Sequence, residues 1–178
     1  MVRRSLKKLH ELILYIAWRN RDDPDFASTR LTKDLYYSDF ERFRQTGDAI
    51  TGSDYLAMPN GPMLEGLQGI LEGMQGKRLL RIEGTPSGPF MQQRPIPLRQ
   101  PNLALFSPDE LRVIDQVIDE HGGENATTAS RRSHELPTWR YTAQGERIPY
   151  GTAWLVDPEP TEEERRRAHA LAVRLGRA

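Results

Sequence analysis

The sequence has no cysteine. Disulfide bridges, thiolate catalysis and Cys-ligated metal are excluded. That absence agrees with a reducing compartment, so a cytoplasmic protein is expected. A surplus of either charge is also missing, since 25 Lys and Arg balance 25 Asp and Glu. No global field steers the chain toward nucleic acid or a membrane surface. Long apolar runs are lacking too. Leu12 to Trp18 is too short to span a bilayer. The basic start "MVRRSLKK" is followed by a stretch holding Glu11 and ending in Arg19, Arg21, Asp22 and Asp23, with no small-residue cleavage site, so no signal peptide is expected. No internal repeat is visible.

What remains is 178 residues, 37% hydrophobic, 28% charged and with 13 prolines. Such a chain can bury roughly 70% of its unfolded surface in one core with long connections.

Leu6, Leu9, Leu12, Ile13, Ile16 and Ala17 recur at helical spacing, which predicts a helix from Ser5 to Asn20. A second helix is expected from a Ser28 or Thr29 cap to about Arg44, stopped by Gly47. "ITGSDYLAMPNGPMLEGL" follows. Asn60 and Gly61 supply a turn, and Pro62 suits the first position of a third helix carrying Leu64, Leu67, Ile70, Leu71 and Met74. Gly76 ends it. "LLRIE" and "FMQQRPIPL" flank a "GTPSGP" turn as a small hairpin, with Pro95 confining the second arm to an edge. Ser107 and Glu110 form a capping box before Leu111, Ile114, Val117 and Ile118. "TTASRRSHEL" reads as a short helix stopped by Pro137, and "IPYGTAWL" as at least one helical turn. Thr161 and Glu164 cap a last amphipathic helix, about 161–175, packing on the rest. The expected fold class is mainly α: a compact single domain spanning 1–178, of about five or six helices with a small β-hairpin.

Candidate chemistry is sparse. A P-loop needs Lys and Ser or Thr after its last glycine, but Gly61 is followed by Pro62 and Met63. A turn that sets the angle of the third helix is the better reading of this stretch, with anion binding at the helix start as the rival. His10, His121, His134 and His169 contain no pair at helical ligand spacing, so no metal is expected. His121, on an apolar edge, reads as a structural histidine. His134 and Glu135 are adjacent and point about 100° apart on a helix.

Asp39 lies between Leu35 and Phe43 on the apolar face of the second helix. A carboxylate there needs partners, because burying it alone is costly. A polar anchor is the plainer reading, and a perturbed catalytic acid is the sharper one. Gly66, Gly69 and Gly73 cluster on one face of the third helix, each costing about 1 kcal/mol against Ala, which suggests close approach of another helix of the chain or of a partner. Lys77, Arg78, Arg81, Arg94 and Arg99 surround the hairpin, with Glu83 the one acid among them. They read as a local basic patch: a solvated face in the plainer reading, a surface for an acidic partner or for nucleic acid in the sharper ones.

"LTKDLYYSDFERFRQTGDAITGSDYLAMPNGPMLEGL", "FSPDELRVIDQVIDEHGG", "SHELPTW", "IPY" and "ELILYIAWR" together resemble the Panacea, or SocA-like, antitoxin domain family over nearly the whole chain. The matching positions are Tyr37, Asp39, Phe40, Thr51, Gly52, Pro59, Gly61, Pro62, His134, Glu135 and Trp139, read mostly as shared scaffold. The chain departs from the family in the glycines of its third helix and in Arg131 and Arg132, where an apolar residue is expected. The resemblance implies an antitoxin that neutralises a cognate protein toxin, encoded by the adjacent gene, by direct binding. It implies no enzymatic activity and no cofactor. Its variants are an adaptor that delivers the toxin to a protease, or a nucleic-acid-binding regulator using the basic hairpin; an enzyme using Asp39 with His134 or a tyrosine is a further rival. Contacts with the partner are assigned to Lys77, Arg78, Arg81, Arg94, Arg99, Arg131 and Arg132.

Overall fold

The structure, a computed structural model, describes residues 3–87, 90–155 and 166. Among them the chain forms six α-helices and two separate two-stranded antiparallel sheets, a mainly α architecture. The last expected helix falls, apart from Arg166, outside the described residues.

Helix α1 (Leu6–Arg19) begins where Ser5 accepts a hydrogen bond from the Lys8 amide at 3.3 Å. Its apolar stripe places Leu9, Leu12, Ile13 and Ile16 wholly inside the core. Each such side chain contributes roughly 1.5–3 kcal/mol by leaving water. Helix α2 (Ser28–Thr46) is the axis of the fold. It packs against α1, both hairpins and most of the later helices, and is therefore buried on nearly every side. Leu31, Leu35, Phe40 and Phe43 supply its apolar contacts, while Arg30, Lys33, Asp34, Ser38 and Asp39 are buried beside them. Gly47, at φ 79°, closes the helix. The expected Ser or Thr cap is absent: Ala27 holds that position and makes no side-chain cap bond.

The stretch after α2 corrects the sequence reading. Tyr55–Met58 (β1) and Gly61–Leu64 (β2) pair antiparallel, with Met58 opposite Gly61 across a Pro59–Asn60 turn. Pro62 therefore sits in a strand, not at the start of a helix. Two contacts select the strand: the Leu64 amide donates to the Thr32 hydroxyl at 2.7 Å, and Tyr55 and Ala57 alternate inward. Residues 145–148 run along the other side of β1, where the Ala57 amide donates to the Glu146 carbonyl and the Ile148 amide to the Tyr55 carbonyl. Helix α3 (Leu67–Gly76) starts only after Gly66, at φ 72°. It turns Leu71 and Met74 to the core. The expected approach of another helix of the chain to its glycine face does not occur, because a β-carbon on Gly66, Gly69 or Gly73 would meet nothing within 4 Å.

Strands β3 (Leu80–Ser87) and β4 (Phe90–Pro97) form the expected hairpin, extended into the "GTPS" segment. Helix α4 (Pro108–Glu120) carries the expected capping box: the Ser107 hydroxyl accepts from the Glu110 amide, and the Glu110 carboxylate accepts from the Ser107 amide at 2.8 Å. Its inner face is Val113, Ile114, Val117 and Ile118. Helix α5 (Ala126–His134) ends before Pro137, which opens the short α6 (Pro137–Arg140). Tyr150–Trp154 form a 3-10 turn. Among the described residues no helix is long and apolar enough to cross a membrane.

Candidate functional site

The expected polar anchor is present at Asp39, whose side chain has no solvent exposure. Its Oδ1 accepts from the Thr51 amide at 2.6 Å, and its Oδ2 accepts from the Thr51 hydroxyl at 2.5 Å and the Tyr55 hydroxyl at 2.9 Å. The Tyr150 hydroxyl stands 3.2 Å from Oδ2 and 2.8 Å from the Ser53 carbonyl. With one proton to give, it favours the nearer carbonyl. Burial pushes the Asp39 carboxyl above its ordinary value, against the donors that favour the anion. Burial likewise raises the Tyr55 and Tyr150 phenols, which stay protonated as donors. Phe40 stacks on Tyr150 at 4.6 Å and on Tyr36 at 4.2 Å, sealing the group. Asp39 and Thr51 thus fasten the segment before β1 to α2, Phe40 covers them through Tyr150, and Gly52 lies buried beside Thr51 at φ 65°.

A second buried polar group joins α1, α2 and α4. His121 Nδ1 lies 2.7 Å from Asp34 Oδ1, both side chains being buried, which makes His121 the expected structural histidine. Burial raises the Asp34 carboxyl, opposed by His121. Arg30 donates to Asp23 at 2.6 Å and also to Asn20. Tyr37 packs edge-on to His121 at 4.6 Å.

The third group lies where the β1–β2 hairpin meets α2, α5 and α6. Lys33, 2% exposed, donates to the Pro62 carbonyl at 2.7 Å. Burial pulls its ammonium down to about 7. A β-carbon on Gly61 would fall 1.9 Å from the Ser133 hydroxyl and 3.0 Å from Lys33 Nζ. Trp139 donates its indole N–H to the Met58 carbonyl at 3.0 Å and stacks on His134 at 4.1 Å. Pro59 stands exposed at the hairpin tip, Pro62 is buried, and Glu135 is exposed. Beside this junction Ser28, Thr29, Lys33, Met58, Gly61 and Met63, among others, line an open cleft of about 220 Å³. Lys33 and the Gly61–Ser133 approach were not singled out from sequence. A lysine amid "LTKDLYY", one residue from the apolar stripe, was the available signal.

Of the seven basic residues assigned to a partner, Lys77, Arg78, Arg81, Arg99 and Arg131 are exposed, and Arg94 and Arg132 are half-buried. Arg94 donates to the Asp23 carbonyl at 2.7 Å and the Arg21 carbonyl at 2.7 Å, and Arg99 forms a two-pronged pair with Glu11, at 2.9 and 2.5 Å. Arg99 also holds the Glu11 carboxyl below the usual range. Arg81 pairs with Glu83 and Arg132 with Glu124. Arg94 and Arg99 therefore fasten the second hairpin and its exit to α1 and the α1–α2 connection. Among the described residues no cluster of three or more His, Asp or Glu could hold a metal ion.

A family model described as "Antitoxin SocA-like, Panacea domain" matches residues 31–140, more than half of the 178 residues. No curated protein and no solved structure matches the chain.

Proposed function

We propose, on the premise that the chain belongs to the SocA-like Panacea antitoxin domain family, that it is an antitoxin that binds its cognate protein toxin directly and blocks it. The family match is the observation that carries this reading. Neutralisation is by occlusion: the antitoxin covers the toxin's active or target-binding surface, without a cofactor or a chemical step. The polar groups at Asp39 and Asp34 support this division of labour, since both carboxylates are enclosed and hold elements together. The commitment of Arg94 and Arg99 within the fold weighs against the basic hairpin as a nucleic-acid site.

The test is co-expression with the protein encoded by the adjacent gene. Growth is restored, and the two proteins co-purify through an interface of about 1,200–2,000 Å² in total. Rescue with no complex, or with a chemically altered toxin, would point to an enzyme and overturn the reading. Rescue through a lower toxin transcript would favour a nucleic-acid regulator. Loss of the toxin protein, dependent on a cellular protease, would identify an adaptor.

A further inference from the structure

Lys33 forms no ion pair among the described residues; it donates to one carbonyl there, that of Pro62. A buried cation usually faces a carboxylate, because the cost of removing it from water is otherwise uncompensated. Arg30, one turn earlier on the same helix, follows that rule with Asp23 and Asp34. Lys33 does not, and it lines the open cleft between the first turns of α2 and the β1–β2 hairpin. Two of the three ammonium hydrogens have no protein acceptor among the described residues.

The rest of the cleft narrows the ligand. Met58, Pro59, Met63 and Leu67 make it largely apolar, and Ser28 and Thr29 add hydroxyls. Its volume of about 220 Å³ is below the range of sites for drug-sized molecules. A single amino-acid residue is the matching scale. Positive charge beside apolar walls selects a residue that carries a carboxylate and an apolar side chain together. Aspartate and glutamate side chains lack the second; an apolar residue at a chain terminus has both. The first turn of α2 adds to the attraction for an anion, since Ala27 provides no side-chain cap for its amides.

We propose that this cleft receives the C-terminal residue of the partner protein, an apolar residue whose terminal carboxylate pairs with Lys33. The inference rests on the protein-binding reading above and gives it a contact point. It does not depend on the exposed basic residues.

The probe is N-acetyl-leucine, with N-acetyl-leucinamide and inorganic phosphate as controls, titrated into the ¹⁵N-labelled full chain. N-acetyl-leucine is expected to shift the amides of Ser28, Thr29, Gly61 and Met63 saturably at millimolar concentration, and the amide is not. Lys33→Met weakens the response at least tenfold. Because Lys33→Met changes a buried site, Met63→Glu serves as a second variant: it places a carboxylate on the exposed rim, keeps the fold, and also weakens the response about tenfold. No shift in these amides, or equal shifts with the leucinamide, overturns the proposal. Equal shifts with phosphate assign the cleft to free anions and overturn it too. With the toxin itself, adding residues after its C-terminus should weaken the complex at least tenfold. An unchanged complex in that arm overturns the cleft assignment and leaves the antitoxin reading intact, whereas no complex with the wild-type pair overturns the antitoxin reading.

Discussion

Ser133 of α5 holds its hydroxyl 1.9 Å from the place where a β-carbon on Gly61 would lie. The hairpin backbone and the helix side chain therefore touch only because position 61 has no side chain. Its φ of 90° adds a conformation that L side chains rarely adopt. Gly61→Ala should destabilise the protein by about 1–3 kcal/mol through overpacking and backbone strain. Ser133→Gly has its own cost in α5, but that cost should be smaller in the Gly61→Ala background than in wild type, because there the contact is relieved. Equal costs of Ser133→Gly in the two backgrounds, read from urea midpoints, would refute the contact as the cause.

At Asp39, replacement by alanine removes the acceptors of the Thr51 amide and the Tyr55 hydroxyl together. A loss of about 2–3 kcal/mol is expected. Asp39→Asn should cost less, since its carbonyl still accepts from Thr51 and the hydroxyls can turn to accept from its amide. The carboxyl's raised value means that the folded state binds the proton more tightly than the unfolded chain does. This contribution is fully present below the ordinary Asp value, near pH 4, and is lost as pH rises through the folded value. The lead of wild type over Asp39→Asn in urea denaturation should therefore widen as pH falls toward 4. A lead that shrinks on acidification would mean that the carboxyl is lowered instead.

Lys33 titrates in the opposite sense. Its folded value of about 7 lies below the usual 10.5, so the unfolded chain binds more protons between them. Stability should rise across that window, and the gain is lost as pH falls through about 7. Lys33→Met should flatten this rise. Thermal melts at pH 7 and pH 9.5 measure it, and parallel shifts in both proteins would exclude Lys33 as the source.

The basic residues separate by what they touch. Lys77→Glu with Arg131→Glu should leave stability within about 0.5 kcal/mol of wild type, as exposed substitutions usually do. Arg94→Ala should cost about 1–2 kcal/mol by releasing the Asp23 and Arg21 carbonyls. If the exposed pair meets acids on the toxin, its reversal slows association, since rim charges act chiefly on that rate. An unchanged association rate would remove Lys77 and Arg131 from the contact.

The elements that could be read from the sequence are those fixed by local signals. The α1 stripe, the capping box at Ser107, the Gly47 stop and the burial of Asp39 follow from spacing within a few residues. The β1–β2 hairpin was hidden because its strands have four residues each and the sequence Asn60-Gly61-Pro62, where the turn passes into β2, also suits a helix start. What decides between the two is the Thr32 hydroxyl, some 30 residues earlier in the chain. Lys33 escaped for a related reason. A helix carrying Arg, Lys and Asp reads as half-exposed, but α2 is enclosed and satisfies most of its polar groups inside. The α3 glycines misled in the other direction as to the chain's own packing, since no other element meets that face.

The Asp39 group has a consequence for the order in which the chain folds. Its members stand at positions 39, 51, 55 and 150, and residues 145–148 lie along β1. The last of these contacts closes a loop of about a hundred residues, an entropic cost that only late collapse repays. Helix α1, Tyr150 and the strand-like 145–148 segment all lie outside residues 31–140, yet they complete the core. A fragment cut to 31–140 would lack all three, and a nascent chain would hold β1 unpaired on one side until its distal segment emerged.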